Sequence, residues 1–265
     1  MSVFPQVEIP ERLHDRVTRT LALQILEAER GAKLLVFPNE ADLCQQLGVS
    51  RSILREAVKV LADKGMVAVR QRQGTRANPR TAWNQLDPDI LNWWAELGPD
   101  AQFLRELCEV RLAIEPTAAG FAAVRGTPEE IEAIGRCLVG RETELKAGNL
   151  ASAVDLELEI HAAIMSACHS ALLEQLSRAI HRPLRTALSC ATGLRTSARV
   201  GSTAHRQLFE ALRRHDALKA RMAAETIVGL AMVGVEEAIK RDERARNKAL
   251  ANSTKLVLRE DGVHQ

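Results

Sequence analysis

The chain has 265 residues, 46% hydrophobic and 26% charged, with a formal net charge of +2, enough for two modest domains. No run approaches the roughly 20 apolar residues of a membrane helix, and MSVFPQVEIPERL has no secretory pattern, so no membrane partner and a cytoplasmic protein are expected. Five scattered cysteines (Cys44, Cys108, Cys137, Cys168, Cys190) form no CxxC pair, which argues against a disulfide framework or a zinc cage.

The charge is unevenly spread. Residues 1–80 hold 13 Lys/Arg against 9 Asp/Glu, and residues 81–265 hold 23 against 25. A basic first part suits contact with a polyanion. Along it, Val17, Leu21, Ile25 and Leu26 recur at helical spacing between residues 12 and 29. In FPNEADLCQQLGVS, Asn39 can cap a helix, Glu40 and Asp42 suit its positive end, Leu43 and Leu47 form its inner face, and Gly48 stops it. Ser50 caps the next helix, SRSILREAVKVLADKG, whose apolar face is Ile53, Leu54, Ala57, Val58 and Leu61 and whose stop is Gly65. MVAVRQRQGTRANP alternates Val67 and Val69 with polar residues, turns near Gln73-Gly74 and ends at Pro79, the pattern of a two-stranded ribbon.

Residues 81–99 read as a linker holding Trp83, Trp93 and Trp94, which are expected to fasten it to the second domain. From Asp100 onward every long segment has helical periodicity: 100–124, 128–147, 150–168, 170–190, 202–213 and 216–241. The expected fold is all-α with a small β wing. It divides into a DNA-binding domain at 1–80, a linker at 81–99, an antiparallel α-helical bundle at 100–243 and a frayed polar tail at 244–265.

Two short helices joined by LGVS have the dimensions of a helix-turn-helix. Arg51, Ser52 and Arg55, just after the Ser50 cap, occupy the turn that must reach base edges in a major groove, while flanking cations neutralise phosphates. On the ribbon stand Arg70, Arg72, Gln73, Gly74, Thr75 and Arg76, and Gly74 permits close approach to a groove. A solvated helical hairpin is the competing reading. The order helix, turn, helix, basic ribbon favours DNA.

The string F-P-N-E-A-D-L…L-G-V-S-R-S-I-L-R-E-A-V-K-V-L-A-D-K-G-M-V…R-Q-G-T resembles the winged helix-turn-helix of GntR-type bacterial transcription regulators. The helical half, with E-V-R-L-A-I-E-P-T-A-A near its start, resembles the ligand-binding FCD domain of the FadR-like branch. The resemblance spans roughly residues 12–240, and W-N-x-L-D-x-D-I-L-x-W resembles the members that govern galactonate-type sugar-acid catabolism. It implies a homodimer that binds a palindromic double-stranded DNA operator and is released by a small carboxylate or sugar-acid effector. Ala41 departs from the family, which often has a basic residue there. Repressor and activator both remain open on the residues.

Three polar residues interrupt apolar faces of the helical half. Arg111 is flanked by Leu107, Cys108 and Ile114, with Glu115 at i+4. His161 lies among Leu158, Ile164, Met165 and Cys168, one turn after Glu157, and His205 precedes Leu208 and Phe209 by a turn. Singly, each reads as a satisfied core residue; together they read as a site. The resemblance implies a divalent metal (Zn, Ni or Mn) on Glu157, His161 and His205, although Ile227 stands where a further histidine is expected. The other reading is a carboxylate effector, clamped by Arg111 and bonded by His161, His205, Glu157, Arg185 and Thr192. A metal-dependent enzyme on Glu157, His161 and His205 is opposed by the lack of any strand pattern in this half.

Overall fold

A computed structural model describes residues 13–70, 74–192 and 195–260, without the side chains of Arg70, Ala187, residues 190–201 and residues 245–260. Among the described residues the fold is all-α apart from one two-stranded sheet, and the chain divides into two compact units, Met1–Gly98 and Pro99–Gln265.

The first unit opens with α1 (Leu13–Arg30), whose Leu21, Ala22, Ile25 and Leu26 are buried against α3 (Arg51–Asp63). Burying each large aliphatic side chain contributes about 1.5–3 kcal/mol. Between them α2 (Glu40–Leu47) is capped as expected: Asn39 Oδ1 accepts the Asp42 N–H at 3.0 Å, and Gly48 ends the helix in the left-handed region. Ser50 Oγ accepts the Ile53 N–H at the start of α3. The wing is β1 (Val67–Arg70) antiparallel to β2 (Gly74–Ala77), with Arg70 opposite Gly74 and Val36 bridging Arg76 on the outer edge.

Residues 81–99 depart from the expected linker. Arg80–Ala82 form one 3-10 turn, and Pro88–Leu97 form α4, which packs on α1. Asp87 caps α4, with Pro88 in its first turn, and its apolar residues Ile90, Leu91, Trp93 and Trp94 are buried. All three tryptophans are buried and have partners within this unit. The Trp83 indole N–H donates to Asn78 O at 2.9 Å, the Lys64 ammonium lies 5.9 Å from the Trp93 ring, and the Arg80 guanidinium lies 5.1 Å from the Trp94 ring. Lys64 also bridges Asp87 and Asp89, each at 2.8 Å, and Arg30 donates to the carbonyls that end α4.

The second unit holds α5 (Ala101–Arg125), α6 (Pro128–Ala147), α7 (Leu150–Ala167), α8 (Ala171–Thr192), α9 (Arg195–Arg213) and α10 (Ala217–Glu260). Its core runs through Ala118, Ala119, Ile134, Leu138, Ile160, Ile164, Leu208, Leu212, Ala220 and Ala224. Thr127 and Glu130 form a reciprocal cap at the start of α6. Gly135 lets α6 approach α9: a Cβ there would lie 2.5 Å from the Phe209 ring. Two boundaries differ from expectation. Gly201 lies inside α9, since one glycine weakens a helix by only ~1 kcal/mol. α10 continues to Glu260, through the segment expected to fray, because residues 235–260 contain no Gly or Pro and Ala, Glu, Lys and Arg prevail.

Candidate DNA-reading face and ligand cluster

On the first unit, Ser50 and Ser52 share a 2.9 Å hydroxyl contact at the head of α3, and both are exposed. Arg51 and Arg55 project from the same turn with side chains 70% and 69% exposed. Both lie near Glu40 of α2, which is 3.1 Å from Arg55 Nε and 3.9 Å from Arg51 Nε. An exposed pair of this kind is worth about 0–1 kcal/mol, so both guanidiniums stay available. Gly74 and Arg76 are exposed on β2 and Thr75 is half-buried. Arg72 and Gln73, and the side chain of Arg70, lie outside the described residues.

In the second unit the polar interruptions meet. Arg111 is 1% exposed and donates through Nε to Glu115 Oε1 at 2.7 Å and through Nη2 to Glu115 Oε2 at 3.3 Å. His161 Nδ1 stands 2.9 Å from Glu115 Oε2, while its Nε2 lies 3.0 Å from Arg111 Nη2 and 3.4 Å from Glu157 Oε1. His205 Nε2 reaches the same Glu157 oxygen at 2.9 Å. Arg141 of α6 pairs through Nε with Glu157 Oε2. Six buried polar side chains from α5, α6, α7 and α9 thus form one chain of contacts inside an apolar bundle. Beside it lies a pocket lined by Glu115, His161, His205, Ile160, Leu208 and Ile227, among others.

The electrostatics follow from this crowding. Burial works against the Glu115 carboxylate, but Arg111 and His161 outweigh it and hold Glu115 down to about 2. Burial likewise opposes charge on His161, yet the Glu115 carboxylate overcomes burial and Arg111 and pushes it up to about 9. Glu157 is held well below the usual carboxylate range against its burial, chiefly by His205, then by hydrogen bonds from His161 and His205 and by Arg141.

The structure brings together Arg111, Glu157, His161 and His205 and adds Glu115 and Arg141 to their company. Arg111 is already taken by Glu115, so it does not present an open clamp. Arg185 is exposed on α8 and pairs with Asp155 of α7; four residues after His181 and four before Ser189, both exposed, it sits on the outer side of that helix. Thr192 ends α8, and its side chain lies outside the described residues. Arg141 was missed. Its signal was present, since it continues the Ile131, Ile134, Leu138 stripe of α6 at spacings of three and four. The donor atoms of Glu157, His161 and His205 face one another and two guanidiniums. No group of three His, Cys, Asp or Glu side chains among the described residues is placed to hold a metal ion.

Comparison with known proteins places these two units. Residues 13–76 match the model for bacterial regulatory proteins of the gntR family, and residues 106–229 match the FCD domain. The chain is 33% identical to the galactonate operon transcriptional repressor of Escherichia coli (strain K12), over 81% of this chain and 93% of that protein. It is 34% identical to a putative L-lactate dehydrogenase operon regulatory protein of the same organism, over 69% of each. The solved structure of Lar, which controls the expression of the Listeria monocytogenes agr system, shares the fold at a TM-score of 0.55 and 17% identity, over 87% of this chain and 99% of that one. These relatives are regulators and not enzymes. With a capped α2–α3 pair and β ribbon at one end and a helical domain with a buried polar cluster at the other, the chain belongs to the GntR family of bacterial transcription regulators, in the FadR-like group that carries an FCD domain.

Proposed function

We propose that the protein is a cytoplasmic homodimeric repressor of a sugar-acid catabolic operon, released from a palindromic operator by a hydroxylated carboxylate of the galactonate kind. The observation that carries this reading is the buried polar cluster of Arg111, Arg141, Glu157, His161 and His205 inside an apolar bundle, with His161 and His205 on the wall of the adjoining pocket. Such a buried polar network is costly to assemble, and a ligand of anionic head and hydroxyl groups matches its donors. A fatty-acyl chain would want an apolar tunnel instead. The galactonate repressor's 33% identity favours an aldonate over other carboxylates. DNA release requires that the effector bind the operator-free arrangement more tightly than the bound one.

A metal does not enter this reading. A zinc, nickel or manganese ion on Glu157, His161 and His205 would have to displace Arg141 from Glu157 and Arg111 from His161, and Ile227 supplies no donor on the pocket wall. Metal analysis of the purified protein checks this.

Fluorescence anisotropy with the promoter region of the protein's own gene tests the whole. Tight binding that weakens steeply with salt is expected from phosphate contacts, and millimolar galactonate should reverse it. Binding unaffected by every aldonate, 2-hydroxy acid and dicarboxylate tried would overturn the effector assignment.

A further inference from the structure

Helices α5 and α10 each bury one side in the core of the second unit and leave an apolar stripe on the other. On α5, Val110, Phe121 and Val124 share a stripe with Ala113 and Thr117, at spacings of three and four. On α10, Leu218, Met222 and Val233 share one with Glu225 and Gly229. Val124, Leu218, Met222 and Val233 are 57–68% exposed. On α6, α7 and α8 such residues stand singly, as Val139, Leu150 and Leu172, and ask for no partner.

The two stripes form one face. Arg105 pairs with Glu236 near one end, and Arg221 Nη2 donates to Thr117 Oγ1 at 3.0 Å nearer the other, so the helices run side by side and antiparallel. At about 100° per residue from these contacts, both stripes fall on the same outer side, away from the buried Ala122 of α5 and Ala220 of α10. From Glu106 to Val124 the face is about 27 Å long and, over two helices, about 20 Å wide. Pairing two such faces removes roughly 1,000 Å² from water, the least that a specific interface buries.

The charges say what covers it. At the Arg105–Glu236 end, the carboxylates Glu106, Glu109 and Glu237 outnumber Lys240. At the other end Arg125, Lys219 and Arg221 outnumber Asp216, and the Arg125 guanidinium lies 4.1 Å from the Phe121 ring. Glu109 and Arg125 are both exposed, and neither has an ionic partner among the described residues. A face acidic at one end and basic at the other complements itself when a second copy lies on it end over end.

We propose that the outer face of α5 and α10 is where a second copy of this chain docks, α5 on α5 and α10 on α10, both antiparallel. The two-fold axis then lies in the interface and crosses both helices, which brings Glu109 of each copy beside Arg125 of the other. This rests on the homodimer reading above and gives that dimer its contact surface.

Sedimentation velocity of the full-length protein at micromolar concentration tests it. Wild-type protein should sediment as a dimer. Val124→Glu/Met222→Glu, at two exposed positions, should keep the wild-type circular dichroism and melting temperature and dimerise at least about 100-fold more weakly. Glu109→Lys and Arg125→Glu should each weaken the dimer about fivefold or more, since symmetry repeats the pair, and Glu109→Lys/Arg125→Glu should recover most of that loss. The charge series stands alone should the first variant fail to fold. A folded Val124→Glu/Met222→Glu protein with undiminished dimer affinity, or a charge-swapped protein weaker than either single variant, would overturn the assignment of this face and leave the homodimer standing. Wild-type protein that is monomeric would overturn both.

Discussion

Gly65 and Gly48 offer a controlled comparison within the DNA-binding unit. Both hold a positive φ, +76° and +65°. Alanine at either position bears the left-handed penalty of about 1 kcal/mol. The two differ in what surrounds them. A Cβ on Gly65 would lie 2.3 Å from the carbonyl oxygen of Ala82 and 3.3 Å from the Cα of Trp83, whereas one on Gly48 meets nothing within 4 Å. Gly65→Ala must therefore push the 80–84 backbone away. That movement strains the Asn84 N–H bond to Lys64 O at 3.0 Å and the Trp83 indole bond to Asn78 O at 2.9 Å, each worth about 1 kcal/mol. Loosened packing of Trp83 adds to this, so the expected loss is about 3–4 kcal/mol against about 1 kcal/mol for Gly48→Ala. All three tryptophans are buried in this unit, so urea unfolding followed by tryptophan emission reports on it alone. With slopes of about 1–3 kcal/mol per molar urea, the two midpoints should differ by on the order of 1 M. Coincident midpoints would refute the claim that residues 80–84 are pressed against the end of α3.

Further outcomes concern the sites. Glu40→Gln frees both arginines of α3 and should strengthen operator binding up to about fivefold with a steeper salt dependence, while Arg51→Ala should weaken it at least about tenfold; anisotropy at several salt concentrations reads both. Glu115→Gln strands the Arg111 charge in the bundle and should cost about 3–5 kcal/mol, seen as a lower melting temperature. Because Glu115 is held down to about 2 from 4.5, its stabilisation is present above pH 4.5 and is lost as pH falls toward 2. The acid limb of a melting-temperature profile should therefore be shallower in the Glu115→Gln protein.

Much of the fold was legible because its signals are local. Asn39, Ser50, Gly48 and Gly65 mark the ends of α2 and α3, and five of the six second-unit helices begin within two residues of the expected positions. Local signals also existed for α4, in Asp87-Pro88 and the Ile90-Leu91-Trp93-Trp94 face, but linker composition masked them. The cluster was half legible. Arg111, Glu157, His161 and His205 stood out as polar breaks in apolar stripes, whereas Arg141 lay on a stripe of its own that nothing in the chain's order tied to them.

What the amino-acid order settled alone was which segments coil, where they stop, and that a basic helix-turn-helix precedes a helical domain, since caps, glycines and periodicity act over a few residues. What only three dimensions decided was partnership. That Arg141 reaches Glu157 and His161 reaches Glu115 depends on three helices drawn together by the burial of the apolar faces around them. The same holds for α4, whose apolar face is buried through packing on α1, a partnership that no short-range signal in the chain specifies.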